Sequence, residues 1–192
     1  MSSRLAALSM VVLLSACGGM SPPRNLDNAC SIVSERPQYL TAMRRTQSKW
    51  GVPVHVQMAV IHQESKFDGD ARTPYRYVLG VIPMGRQSSA YGYSQALDGT
   101  WEDYKRATGQ RRASRSDIDD ATDFIGWYMT ETNRRLGIPI SDARDQYLAY
   151  HEGPAGYARG SHNRKSWLLR TANRVEARSQ LYARQLQACG KG

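Results

Sequence analysis

One apolar helix that ends in a single acid limits how this chain can fold. Its sequence, with a proline at the first turn, predicts a helix over about 53–65. Glu64 follows Val60 by four residues and Ile61 by three, so its side chain should lie over an apolar face. A carboxyl group there loses hydration when ionised, which raises its pKa and suits it to donate a proton near neutral pH. The alternative interpretation is an ordinary helix-end glutamate at the margin of the core.

Helical periodicity recurs along most of the remaining chain, with start and end signals at both sides of each segment. Further helices are predicted over about 37–50, 100–108, 117–136, 142–150 and 165–186. Strand signals are absent outside residues 68–91, where glycines, prolines and tyrosines interrupt the periodicity and a short hairpin fits around 77–82. The sequence therefore predicts a mainly α domain with one long loop or small hairpin at about 68–91.

The N-terminus carries a targeting pattern. Arg4 precedes an apolar stretch that is too short to cross a bilayer comfortably and that ends in Leu-Ser-Ala before Cys17. This resembles a bacterial lipobox, in which the cysteine is lipidated and becomes the mature N-terminus. We predict a signal peptide over 1–16, a lipid-anchored tether over 17–29 and a folded domain over 30–192. Gly18 favours the periplasmic face of the outer membrane; the alternative is simple secretion with Cys17 incidental.

Two further cysteines, Cys30 and Cys189, lie near opposite ends of the predicted domain. In an exported protein such a pair predicts one disulfide that joins the two ends of the domain. The four histidines are scattered and no dense acidic cluster is present, so no metal and no cofactor are predicted.

The formal net charge of +9 is compatible with nucleic acid, anionic lipid or an acidic polymer as a partner. The basic residues are dispersed, and no nucleic-acid-binding module accompanies them. We interpret them mainly as solvated faces, and secondarily as attraction to an acidic polymer of the cell envelope. An exported chain is not expected to bind nucleic acid.

Three short motifs occur in a fixed order along the chain. They are Glu64-Ser65 at a helix end, Gly92-Tyr93-Ser94-Gln95 at a turn, and Ala149-Tyr150-His151-Glu152-Gly153 at another helix end. Over about residues 48–160 this order resembles the soluble lytic transglycosylase family, which has a goose-type-lysozyme-like domain. Members carry Glu-Ser, Gly-Leu-Met-Gln and Ala-Tyr-Asn-Ala-Gly. The resemblance implies a lysozyme-like fold, a peptidoglycan substrate and no cofactor.

The resemblance also implies roles for individual residues. Glu64 matches the single catalytic acid, and Ser65 matches the serine that helps to position the substrate or the acid. Gln95 matches the glutamine that lines the cleft, and Tyr150 matches the tyrosine whose hydroxyl approaches the catalytic carboxylate. The second and third motifs also differ from the family pattern. Tyr93-Ser94 stands in place of Leu-Met, and His151-Glu152 stands in place of Asn-Ala. We predict that Tyr91, Tyr93, Ser94 and His151 also contact substrate.

Three functions remain open at this point. A lytic transglycosylase would use Glu64 as acid and then as base, and would close a 1,6-anhydro ring on the muramyl residue. A muramidase would hydrolyse the same bond and would need a second carboxylate to hold water. The nearest candidates in the sequence for that carboxylate are Asp68, Asp70, Asp98 and Glu152. A non-catalytic peptidoglycan-binding lipoprotein is the third interpretation.

Overall fold

The computed structural model describes residues 21–192, so the predicted signal peptide and Cys17 lie outside the described residues. The elements are α1 (Ala29–Glu35), α2 (Pro37–Trp50), α3 (Val54–Ser65), β1 (Tyr75–Val78), β2 (Ile82–Arg86), α4 (Asp98–Thr108), α5 (Ile118–Leu136), α6 (Ala143–Ala158), a 3-10 helix (Ser161–Arg164) and α7 (Ser166–Ala188). The prediction of a mainly α domain with a small hairpin is confirmed. Within the described residues, no helix is both long enough and apolar enough to cross a membrane.

Helix α3 lies at the centre of the domain and contacts α2, α5, α6 and α7. Six apolar side chains that point in several directions around it are buried: Val54, Val56, Met58, Ala59, Val60 and Ile61. A helix that is apolar on most sides must be surrounded by other elements. The C-terminal end of α3 is therefore held firmly by the rest of the core.

Local signals in the sequence set the boundaries of α2 and α5. Helix α2 begins at Pro37, whose missing N–H is not needed in a first turn, and is followed by Gly51 in the left-handed conformation (φ 76°). The Asp117 side chain accepts a hydrogen bond from the Asp120 N–H at the start of α5, which ends before Gly137. Both helices occupy the predicted ranges.

Helix α6 differs from its prediction, because helical backbone continues past residue 150 to Ala158. Gly153 interrupts it with non-helical angles (φ 70°, ψ 158°), and Pro154 begins a second helical segment. The prediction treated the Gly-Pro pair as the end of the helix. Here the proline instead occupies the first turn of the continuation, a position that proline tolerates well.

The hairpin stands apart from the helices. Strands β1 and β2 pair antiparallel, with Tyr77 opposite Pro83, and contact no other helix or strand of the described chain. Leu79 and Val81 near the turn are 88% and 75% exposed. The prediction of a hairpin in this loop is confirmed, and its side chains add little to the core.

The two ends of the domain are joined by several contacts. Cys30 and Cys189 form the predicted disulfide, which links α1 to the residue after α7. Asp27 pairs with Arg178 at 2.9 Å, and the Tyr182 hydroxyl donates to the Leu26 carbonyl. Residues 26–28, part of the predicted tether, thus lie against the domain.

Candidate active site

Glu64 lies one residue before the end of α3, next to the buried side chains of Val60 and Ile61. Burial raises the pKa of its carboxyl group to about 7, while a hydrogen bond from Tyr147 and the charge of Lys66 act in the opposite direction. The carboxyl group can therefore hold a proton near neutral pH and can also release it. Both properties are needed in a group that serves first as acid and then as base.

The backbone after Glu64 turns sharply and fixes the end of the helix. The Ser65 hydroxyl donates to the Ile61 carbonyl at 3.2 Å, so this buried side chain supports the last turn of α3. Lys66 and Phe67 both have left-handed backbone angles, which are strained for residues with side chains. Buried Phe67 stacks on Tyr39, with ring centroids 5.8 Å apart, and this packing holds the turn in place.

Two tyrosines of α6 face the Glu64 carboxyl group. Tyr147 is buried and hydrogen-bonds to Glu64, and burial together with that negative charge raises its own pKa. Tyr150 lies within electrostatic range of Glu64, and its hydroxyl donates to the Ser94 carbonyl at 2.6 Å. Tyr150 was predicted here from its motif, whereas Tyr147 was not predicted. The spacing of three residues on one helix, which places the two side chains on the same face, is the signal that could have found it.

The Gly92–Gln95 turn supports the site through its backbone. A Cβ atom at Gly92 would lie 2.1 Å from the Arg115 carbonyl oxygen, so only glycine fits there. The Gln95 side-chain amide donates to the carbonyls of Ala71 and Gly92, at 2.9 and 2.8 Å. Gln95 therefore ties the turn to the start of the hairpin loop, and its amide nitrogen is occupied within the protein.

Of the predicted substrate contacts, Tyr93 and Ser94 are buried inside the protein, and Tyr91 is partly buried among protein partners. Tyr93 is 1% exposed, and its hydroxyl lies 3.0 Å from that of Tyr39. Ser94 is fully buried. The Tyr91 hydroxyl donates to Asp70, and the Arg72 guanidinium covers the Tyr91 ring at 4.0 Å.

Just before the Gly153 kink, α6 contributes to an aromatic pair at the surface. The rings of His151 and half-exposed Trp167 meet nearly at right angles, with centroids 5.1 Å apart, and the sequence had not predicted Trp167 as part of the site. The His151 Nδ1 lies 3.0 Å from Glu152, whose carboxylate also accepts hydrogen bonds from Lys165 and Ser161. Those bonds, chiefly the one from Lys165, lower the pKa of Glu152 to about 2. Glu152 is thus a fixed anion that holds α6 to the 3-10 helix and α7.

The other acids considered as a second carboxylate also have partners. Asp68 accepts from the Asp70 N–H, Asp70 accepts from Tyr91, and Asp98 pairs with Arg115 at 2.7 Å. Among residues 21–192, no group of three or more histidine, cysteine or acidic side chains is arranged to hold a metal ion.

The comparison with known families decides the identity of this helical domain. The family described as "Transglycosylase SLT domain" matches residues 5–189. The chain belongs to this family. A search of curated proteins found no match. Membership makes the chain a lysozyme-like SLT domain of a type that acts on peptidoglycan. Within that domain, Glu64, Tyr147 and Tyr150 meet at the junction of α3 and α6.

Proposed function

We propose that this SLT domain is a lytic transglycosylase that cleaves the bond between N-acetylmuramic acid and N-acetylglucosamine in peptidoglycan. The observation that carries the proposal is the partly buried carboxyl group of Glu64, whose pKa is raised to about 7 by loss of hydration and which Tyr147 contacts. Such a group can donate a proton to the glycosidic oxygen at neutral pH.

The proposed reaction uses Glu64 twice and consumes no water. The protonated carboxyl group gives its proton to the bridging oxygen as the bond from that oxygen to the muramyl C1 breaks. The muramyl C6 hydroxyl then attacks C1 and loses its proton to the Glu64 carboxylate. One C–O bond breaks and another forms, so the products are a 1,6-anhydromuramyl end and a free N-acetylglucosamine hydroxyl.

The surroundings of Glu64 favour this route over hydrolysis. A hydrolase would need a second carboxylate to activate water. Among the described residues, Lys66 is the charged side chain whose charge acts on the pKa of Glu64, and no acid contributes to that shift. Glu152, one of the four acids considered for that role, accepts hydrogen bonds from Lys165 and Ser161, so its carboxylate is engaged within the protein.

The position in the cell belongs to the same proposal. We propose that Cys17 is lipidated and anchors the domain to the periplasmic face of the outer membrane. Replacing Cys17→Ser should abolish incorporation of radiolabelled fatty acid and release the protein into the soluble fraction. Unchanged labelling would contradict the anchor while leaving the catalytic proposal intact.

The catalytic proposal is tested by the release of soluble muropeptides from purified sacculi. Glu64→Gln removes the transferable proton and should lower the rate by about 100-fold or more. Glu102→Gln is the matched control, because Glu102 pairs with Lys105 on the surface of α4. Equal rates for Glu64→Gln and the unaltered protein would contradict the assignment.

A further inference from the structure

The tip of the β1–β2 hairpin is apolar and exposed. Val78, Leu79, Val81 and Ile82 surround its turn and are between 45% and 88% exposed. Large apolar side chains that cluster on a protein surface mark a contact with another molecule or with a membrane. We call residues 78–82 the hairpin tip.

The turn at the hairpin tip contains a residue that its backbone disfavours. Leu79 and Gly80 both have positive φ angles, 53° and 74°, and the Val81 N–H donates to the Val78 carbonyl. A two-residue turn of this kind favours asparagine, aspartate or glycine at both central positions. Leu79 is almost fully exposed, so packing within the domain does not offset the strain of its backbone. An apolar side chain here points to a contact outside the domain.

Residue types follow a fixed order from the hairpin tip to the base of the hairpin. Two exposed tyrosines, Tyr77 and Tyr75, come directly after the apolar residues. Three arginines lie on the base side of Tyr77: Arg72, Arg76 and Arg86. The sequence from 71 to 97 contains no acid.

This order is that of a bilayer surface. Apolar side chains enter the hydrocarbon, tyrosines lie at the interface, and arginines meet anionic headgroups. A sugar needs hydrogen-bonding side chains, and the hairpin tip has none, because it consists of valine, leucine, glycine and isoleucine. The charge and the residue order therefore favour an anionic lipid surface over a glycan.

The base of the hairpin lies on the same side of the domain as the first described residue, Ser21. The Ser21 carbonyl accepts a hydrogen bond from Arg36, which directly precedes α2, at 3.4 Å. In the first turn of α2, the Tyr39 hydroxyl lies 3.0 Å from that of Tyr93. The Tyr93 ring packs so closely on Gly69, just before the hairpin loop, that a Cβ atom there would lie 2.9 Å from it.

A lipid on Cys17 would hold this side of the domain beside the membrane. Four residues of fully extended chain reach at most about 14 Å, which bounds the distance from Cys17 to Ser21. We infer that the hairpin tip inserts into the interface of an anionic phospholipid bilayer, as a second contact beside the lipid anchor. This inference rests on the anchor at Cys17 in the proposed function. It requires no helix that crosses the membrane, because only the hairpin tip enters the lipid.

The test reports the surroundings of the hairpin tip in the full chain. Of its three cysteines, Cys30 and Cys189 form the disulfide and Cys17 carries the proposed lipid. Val81→Cys therefore adds one free thiol for an environment-sensitive fluorophore. The labelled protein is placed in vesicles of phosphatidylglycerol and phosphatidylethanolamine with brominated acyl chains. The fluorescence should shift to the blue and should be quenched by the bromines.

Ser141→Cys, labelled in the same way, is the matched control. Ser141 is exposed in the loop after α5, whereas Arg115, whose carbonyl accepts from the Tyr93 N–H, lies before the start of α5. The 19 residues of α5, about 28 Å, lie between the two positions. The label at 141 should be neither shifted nor quenched.

Leu79→Asn, added to the labelled Val81→Cys chain, separates insertion from folding. Asparagine suits the left-handed turn better than leucine, so the hairpin should persist. The ratio of inserted to free hairpin tip should nevertheless fall on the order of tenfold, because the most exposed apolar side chain is lost.

Three results would overturn the inference. Equal quenching at 81 and 141 would mean that the hairpin has no special contact with lipid. A blue shift at 81 without quenching would place the hairpin tip against protein, such as a second copy of this chain. Equal insertion into vesicles of phosphatidylcholine alone would contradict an anionic surface.

Failure of the hairpin and failure of the proposed function give different readings. Intact-mass measurement shows separately whether Cys17 carries lipid, and fluorescence quenching shows whether the hairpin tip is inserted. Neither reading depends on cleavage of peptidoglycan, so the catalytic role of Glu64 is tested independently.

Discussion

Two glutamates show how strongly the surroundings of a residue decide its chemistry. Glu64 lies one residue before the end of α3 and Glu152 lies just before the kink at Gly153 in α6, yet burial raises the pKa of Glu64 to about 7 and hydrogen bonds lower that of Glu152 to about 2. Glu64 is suited to transfer protons, and Glu152 is suited to remain an anion that holds neighbouring elements together.

The raised pKa of Glu64 predicts how stability depends on pH. The folded protein keeps this proton up to about pH 7, while the unfolded chain releases it near its ordinary value of 4.5. Folding therefore retains a proton in this window, and the Glu64 contribution to stability is lost as pH rises through it, by roughly 3 kcal/mol in total. Glu64→Gln should remove that loss. The free energy of unfolding of the variant, minus that of the unaltered protein, should therefore be larger at pH 8 than at pH 4.

Urea unfolding of both proteins at the two pH values measures this difference. Glu102→Gln serves as control, because Glu102 lies on the surface. A stability difference between Glu64→Gln and the unaltered protein that is the same at both pH values would contradict a raised pKa for Glu64 in the folded protein.

The hydrogen bond between Tyr147 and Glu64 leads to a prediction about the pH dependence of activity. This bond lowers the pKa of Glu64, so Tyr147→Phe should raise that pKa further and move the alkaline limb of the activity profile to higher pH. Tyr157→Phe is the matched control, since Tyr157 lies on the same helix but donates to Asp145. A pH–rate profile of sacculus digestion measures the shift, and an unmoved alkaline limb in Tyr147→Phe would count against the contact.

At the scale of elements, the predictions succeeded where local signals are strong. Helices α2, α3 and α5 follow from a proline at the start, an aspartate cap or a glycine at the end. Helix α1, with seven residues, was missed, because the Cys30 disulfide and contacts with α7 stabilise so short a helix more than its own sequence does. The continuation of α6 was missed because a Gly-Pro pair can end a helix or restart one.

In the candidate site too, local sequence signals could be predicted and contacts that depend on packing could not. Glu64 and Tyr150 could be named because they belong to short motifs with a fixed order. Tyr147 could not, because its contact with Glu64 depends on how α3 packs against α6. Nor could the burial of Tyr93, which results from packing against Tyr39.

The hairpin is predicted to contribute little to the thermal stability of the domain. Because β1 and β2 contact no other helix or strand of the described chain, replacing residues 75–86 with a short Gly-Ser linker should change the Tm by less than about 3 °C.

Phe67→Ala, which empties a buried position stacked on Tyr39, should lower stability by about 3–5 kcal/mol. Differential scanning calorimetry compares the two, and a large drop for the hairpin variant would show that the hairpin supports the core.

At the scale of the whole molecule, the Cys30–Cys189 disulfide closes the chain across a sequence separation of 159 residues. A loop of this length restricts the unfolded chain strongly, and we expect Cys30→Ser with Cys189→Ser to lose roughly 2–5 kcal/mol. Helix contacts such as those of α3 with α7 remain, so the variant should still fold at low temperature. Urea unfolding measures the loss, and unchanged stability would contradict a structural role for the disulfide.

The central claim is that Glu64 performs both proton transfers and that water does not attack. Digestion of sacculi in H₂¹⁸O, followed by mass spectrometry of the muropeptides, tests this directly. We predict new muramyl ends that are 1,6-anhydro and contain no ¹⁸O, formed only when Glu64 is present. Reducing muramyl ends that contain ¹⁸O would contradict the claim and identify the protein as a muramidase.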